Sequence, residues 1–100
     1  MTSSPSRIAD AVVVEHDLRF SFVELCRVSH ADAAFLQALV EEGVLRPEGH
    51  APDQWMFAGE ALGRARAAHR LRRDLALDAH ATALVLQLLD EIHHLRTRLR

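Results

Sequence analysis

The stretch that decides the fold is Ser21 to Gly43, SFVELCRVSHADAAFLQALVEEG, which reads as two short helices joined by a tight turn. Glu24 follows Ser21 by three residues. That spacing predicts a capping box, in which the Ser21 hydroxyl accepts from the Glu24 amide while the Glu24 carboxylate accepts from the Ser21 amide. A helix then begins at Phe22 and continues through Val23, Cys26 and Arg27 to about Ser29. Ser29 and Asp32 repeat the spacing and predict a second box, opening a helix over Ala31 to Glu42. Phe35, Leu36, Leu39 and Val40 give this helix an apolar face, and Gly43 supplies the left-handed residue that ends it. A helix-turn-helix of this kind ordinarily enters a DNA groove, so the charge of its second helix is the feature that decides what it can bind.

Upstream, Met1 to Ser6 has three serines, a proline and no apolar periodicity, and residues 1–10 are expected to be a disordered leader. Ala11 to Val14 is a β-branched run, and Leu18 to Phe20 is a second strand-like piece; the two fit either a small hairpin or one bent strand. Downstream, Val44 and Leu45 fold back over the second helix before Arg46-Pro47-Glu48-Gly49 breaks any further helix. Trp55, Met56 and Phe57 then predict a strand that returns as a wing, with Trp55 more readily a core residue than a ligand platform. Glu60 to about Leu75 has strong helix propensity, and Leu62, Ala65, Ala68 or His69, and Leu71 or Arg72 follow a helical course. After a hinge at Leu75-Ala76-Leu77, Asp78 is a good N-cap for a last helix from Ala79 to the end of the chain. There Val85, Leu88, Ile92, Leu95 and Leu99 recur at alternating spacings of three and four, the pattern of a coiled-coil seam. Leu84, Leu86 and Leu89 widen the apolar face near its start, so that half is expected to pack on its own domain. The stripe beyond Asp90 is expected to pair with a second chain as a homodimer, against the alternative of an intramolecular bundle helix.

The fold class is therefore mainly α: a winged helix-turn-helix over 11–77 with a small β wing, and a long dimerisation helix over 78–100. One hundred residues with 49% apolar and 26% charged side chains make one domain with a modest core. All twelve basic residues are arginine, and a formal charge of −2 gives no overall basic field. The single cysteine excludes an internal disulfide, and Cys26 reads as a small buried hydrophobe. With no signal-like segment and no run of about 18 apolar residues, the expected location is cytoplasmic and not membranous.

No Gly-rich phosphate loop, nucleophile elbow or carboxylate pair points to catalysis, and no cofactor is implied. None of the seven histidines lies three or four residues from another, the spacing a helical metal site needs. A DNA-reading second helix needs cations for phosphates and base edges. Ala31 to Glu42 instead carries Asp32, Glu41 and Glu42 and no cation, which suits a basic protein surface. The opposing signal is Arg64, Arg66, Arg70, Arg72 and Arg73 on the next helix, of which Arg66, Arg70 and Arg73 share a face able to touch a nucleic-acid backbone, or simply to be solvated or paired with acids such as Asp74.

The order of helix-turn-helix, aromatic wing, basic helix and apolar terminal helix resembles the MerR superfamily. Phe20-Ser21-Phe22-Val23-Glu24-Leu25-Cys26, Val40-Glu41-Glu42-Gly43-Val44-Leu45-Arg46-Pro47, Trp55-Met56-Phe57 and Arg70-Leu71-Arg72-Arg73-Asp74-Leu75-Ala76-Leu77-Asp78 resemble more narrowly the CbpM-like chaperone modulators. The resemblance covers Phe20 to the C-terminus and leaves the region before Leu18 unexplained. It implies a MerR-like fold without an enzymatic activity, and a partner in the J-domain of a DnaJ-type co-chaperone, the curved-DNA-binding protein A, which such modulators inhibit. MerR-type regulators usually carry an Arg-Tyr-Tyr-Glu-like run in the second helix, where this chain has Phe35-Leu36-Gln37-Ala38-Leu39-Val40. Glu41, Glu42 and Glu48 are then the candidates for the J-domain contact. Arg66, Arg70 and Arg73 are the candidates under the alternative, a DNA-binding transcriptional regulator.

Overall fold

A computed structural model describes residues 18–99. The elements follow in the order β1 (Arg19–Ser21), α1 (Phe22–Ser29), α2 (Ala33–Glu41), a 3-10 turn (Pro52–Gln54), β2 (Met56–Ala58), α3 (Glu60–Leu75) and α4 (Ala79–Arg98). Ser21 serves two elements. Its extended backbone closes β1 and at the same time makes it the N-cap of α1, with the Ser21 hydroxyl accepting from the Glu24 amide at 3.1 Å and the Ser21 amide donating to Glu24 Oε1 at 2.8 Å. The capping box is therefore complete.

The second box does not form. Ser29 belongs to α1, where its buried hydroxyl donates to the Leu25 carbonyl at 2.6 Å. His30 takes the left-handed conformation that turns the chain, Ala31 is buried beneath that turn, and Asp32 alone caps α2 by accepting from the Phe35 amide at 2.7 Å. The helix consequently begins at Ala33 and not at Ala31. A hydroxyl already satisfied by its own helix cannot cap the next one.

At the other end of α2, Gly43 has φ +82°. Its amide donates to the Val40 carbonyl at 3.0 Å and the Val44 amide to the Leu39 carbonyl at 2.9 Å, the paired bonds of a Schellman motif. Val44 and Leu45 are thereby carried back into the core. Gly49 is required in the following loop, because it has φ +114° and a Cβ there would lie 2.6 Å from the Gln54 carbonyl oxygen.

The strand-like residues near Leu18 pair with the wing. β1 lies antiparallel to β2, with Phe20 opposite Phe57 and Ser21 opposite Met56; residues 11–14 lie outside the described residues. Phe57 is the aromatic fully buried in the core, while Trp55 is half-buried and meets the Phe22 ring edge-on at 5.7 Å. Leu25, Leu36, Leu39 and Leu45 complete the centre with Ala65 and Ala68 of α3. These two small residues let neighbouring helices approach closely.

Helix α4 corrects the reading of its apolar face. Thr82 and Leu86 are its buried residues, flanked by partly buried Ala79 and Ala83. Leu84 and Leu89, assigned to the intramolecular half, are 49% and 50% exposed. The chain reaches α4 through Ala76, which holds φ +56° as the C-cap of α3, and this sharp reversal sets which strip of α4 faces inward. That strip runs 79, 82, 83, 86 at helical spacing and continues to Asp90, which pairs with Arg64 of α3 at 3.0 Å.

Candidate functional site

The charged ends of α2 define the candidate surface. At its start Asp32 accepts from the Phe35 amide and from Arg72 Nη1 at 3.0 Å, and the Arg72 guanidinium lies 4.5 Å from the centre of the Phe35 ring. The Phe35 amide first, and Arg72 second, hold the Asp32 carboxyl below its ordinary range. Arg72 is thus committed to structure, stacked on an aromatic face and paired with a helix cap.

At the end of α2 stand Glu41 and Glu42, both exposed, with no basic residue in the last turn. Two carboxylates at a helix C-terminus oppose the negative end of the helix dipole, a local cost of several tenths of a kcal/mol. Glu42 accepts from or shares a proton with His80 Nδ1 at 3.0 Å, which ties α2 to the first turn of α4 and raises the His80 pKa through that hydrogen bond. Glu48 belongs to another element: its backbone exchanges hydrogen bonds with Met56 at 2.8 and 2.9 Å, placing it on the wing. Glu41 and Glu42 therefore share one helix end, while Glu48 is anchored to β2.

The five arginines of α3 divide into two groups. Arg64 donates from Nε to the Val44 carbonyl and from Nη1 to Asp90, both at 3.0 Å, so it and Arg72 are used within the domain. Arg66, Arg70 and Arg73 are exposed, and Arg73 pairs with the adjacent Asp74 at 3.0 Å. Helical spacing already set Arg66, Arg70 and Arg73 apart on one face, while the internal partners of Arg64 and Arg72 lie far away in the chain, at Asp90 and Asp32. Burial and the nearby Asp32 charge raise the Cys26 thiol pKa, so the sulfur stays protonated near neutrality. Among the described residues no group of three His, Cys, Asp or Glu side chains converges as a metal site, and no helix is long and apolar enough to cross a membrane.

Of the residues the sequence assigns to a seam, Leu88, Ile92, Leu95 and Leu99 are 63%, 47%, 48% and 86% exposed, and Val85 is half-buried. They form a solvent-facing apolar stripe along the second half of α4, on the side away from Thr82 and Leu86.

Residues 20–100 match the family described as MerR HTH family regulatory protein. A chaperone modulatory protein CbpM of Coxiella burnetii is 33% identical over 94 residues, covering 94% of this chain and 89% of that protein. A CbpM of Pseudomonas putida is 32% identical over 90 residues, covering 90% of this chain and 85% of the relative. The chain belongs to the CbpM family. The match also corrects the extent of the resemblance, because an alignment spanning 94 of the 100 residues begins no later than residue 7. CbpM relatives thus have a counterpart for most of the region before Leu18. The MerR-like winged helix-turn-helix and the CbpM membership agree with the four helices and two-stranded sheet described above.

Proposed function

We propose that the chain is a cytoplasmic, non-enzymatic chaperone modulator that binds the J-domain of a DnaJ-type co-chaperone and inhibits it. The single observation that carries the reading is the acidic end of α2: Glu41 and Glu42 are exposed, oppose the helix dipole, and have no cation beside them in the last turn. A J-domain presents a basic helical surface to the chaperone it activates, so a carboxylate-bearing helix of complementary charge competes for that surface. The names of the relatives, chaperone modulatory proteins, support the same direction. Calorimetric titration of the full chain against the J-domain of the co-chaperone from the same genome tests it. Binding at micromolar concentrations that weakens in Glu41→Lys with Glu42→Lys is expected; absence of binding at tens of micromolar would overturn the reading.

A second reading, a DNA-binding regulator, is favoured by the exposure of Arg66, Arg70 and Arg73 on one face and by the MerR match. Its signature is DNA affinity that falls steeply with salt and is lost in Arg66→Ala with Arg70→Ala. In either case the exposed stripe Leu88, Ile92, Leu95 and Leu99 is proposed as the seam of a homodimer, in which each apolar side chain leaving water contributes about 1.5–3 kcal/mol.

A further inference from the structure

Between α2 and the α3–α4 hinge runs an open groove lined by Ala34, Phe35, Ala38, Arg72 and Leu77. Asp32 and Asp78, the N-caps of α2 and α4, form its rim. Glu42 stands one helical turn beyond Ala38 on the same side of α2, outside the groove lining, and bonds to His80, the neighbour of the groove residue Ala79. Two acids, Asp32 and Asp78, therefore line the groove, with Glu41 and Glu42 at the C-terminal end of the same helix, against one arginine already committed to Asp32 and to the Phe35 ring. The small side chains of Ala34 and Ala38 leave the backbone of α2 open to close approach, at the 8–10 Å axis separation of packed helices.

We propose that this groove is the seat of the partner's helix: an amphipathic helix with a basic face lies along α2, its small or apolar side over Ala34 and Ala38, its Lys or Arg side chains toward Asp78, Glu41 and Glu42. The proposal rests on the J-domain reading above and supplies its surface. It excludes Glu48, which the wing holds elsewhere, and it requires the occupant's cation to displace His80 from Glu42.

The test is titration of the full chain with the same J-domain, using Ala34→Arg and Ala38→Arg to fill and reverse the charge of the groove. Arg is a good helix former and Ala34 is exposed, so α2 is retained, which circular dichroism checks. Each variant is expected to lose about tenfold or more in affinity, while Arg66→Ala with Arg70→Ala on the outer face of α3 loses less than about twofold. If Ala38→Arg does not fold, Ala34→Arg and Glu41→Lys decide. Wild-type binding that Ala34→Arg and Glu41→Lys leave unchanged would overturn the groove and leave the J-domain reading standing, whereas a wild-type chain that does not bind the J-domain overturns both.

Discussion

Replacing Asp32 separates two roles that one carboxylate performs. As the N-cap it satisfies the Phe35 amide, and as an anion it holds Arg72 across the start of α2. Asn ranks with Asp as an N-cap, so Asp32→Asn keeps the first role and loses the second, worth about 0.5 kcal/mol for a pair as exposed as this. Asp32→Ala loses both, adding about 1 kcal/mol for the cap and giving a total near 1.5 kcal/mol. For a domain of this size that total lowers the thermal midpoint by roughly 6–12 °C, with the Asn variant about a third of the way down. Scanning calorimetry of the three proteins at one concentration reads the series, the fixed concentration being needed because any dimer makes the midpoint depend on it. The pH dependence has a definite sign. The folded state holds this carboxyl below its ordinary pKa, so its stabilisation is present above the ordinary Asp range and is lost as pH falls through the folded value. The gap between wild type and Asp32→Asn is therefore widest near neutrality and closes in acid. Equal midpoints for the Asn and Ala variants would refute the cap, and a gap that widens toward low pH would refute the ion pair.

Ala76 holds φ +56°, where an L-residue other than Gly bears roughly 1–2 kcal/mol of strain; Ala76→Gly relieves it against a somewhat smaller gain in unfolded-state freedom, and a urea midpoint raised by the equivalent of about 0.5 kcal/mol is expected. In an NMR titration the His80 imidazole is expected to titrate above the ordinary histidine value in wild type and to return to it in Glu42→Gln; a midpoint indifferent to that change would mean the two side chains do not meet in solution. The Glu42 bond to protonated His80 is present at low pH and disappears as pH rises through the raised pKa. Light scattering is expected to give a dimer for wild type and a monomer for Ile92→Asp or Leu95→Asp, since each puts an unpaired carboxylate in an apolar seam. A wild-type monomer at about 100 micromolar would remove the dimer, and intact mutant dimers would move the seam elsewhere.

The elements legible in the sequence are those whose signals are local. Ser21 with Glu24, Gly43 after Val40, and Asp78 before Ala79 each fix a helix end through bonds spanning three or four residues, and each forms as the spacing demands. Ser29 failed as a cap because whether a serine faces its own helix or the next depends on burial, which spacing does not contain. The pairing of β1 with β2 joins residues nearly forty positions apart, and three-residue strands carry too little periodicity to announce a partner. Of the candidate site, the acidity of α2 was readable from composition. The separation of Glu48 from Glu42 comes from its backbone pairing with Met56, the commitment of Arg64 and Arg72 from partners at Asp90 and Asp32, and the inward choice of Leu86 over Leu84 and Leu89 from the packing of α4, all of them contacts distant in sequence.

Helix α4 is mechanically a cantilever. Its root is clamped by Thr82 and Leu86, its last fastening is the Asp90 bond to Arg64, and the segment from Glu91 to Arg98 projects about 12 Å with every side chain in solvent. The same guanidinium holds the Val44 carbonyl, in the turn that sets the end of α2. The root of the overhang and the turn that follows the acidic helix end therefore share one arginine as their common fastening.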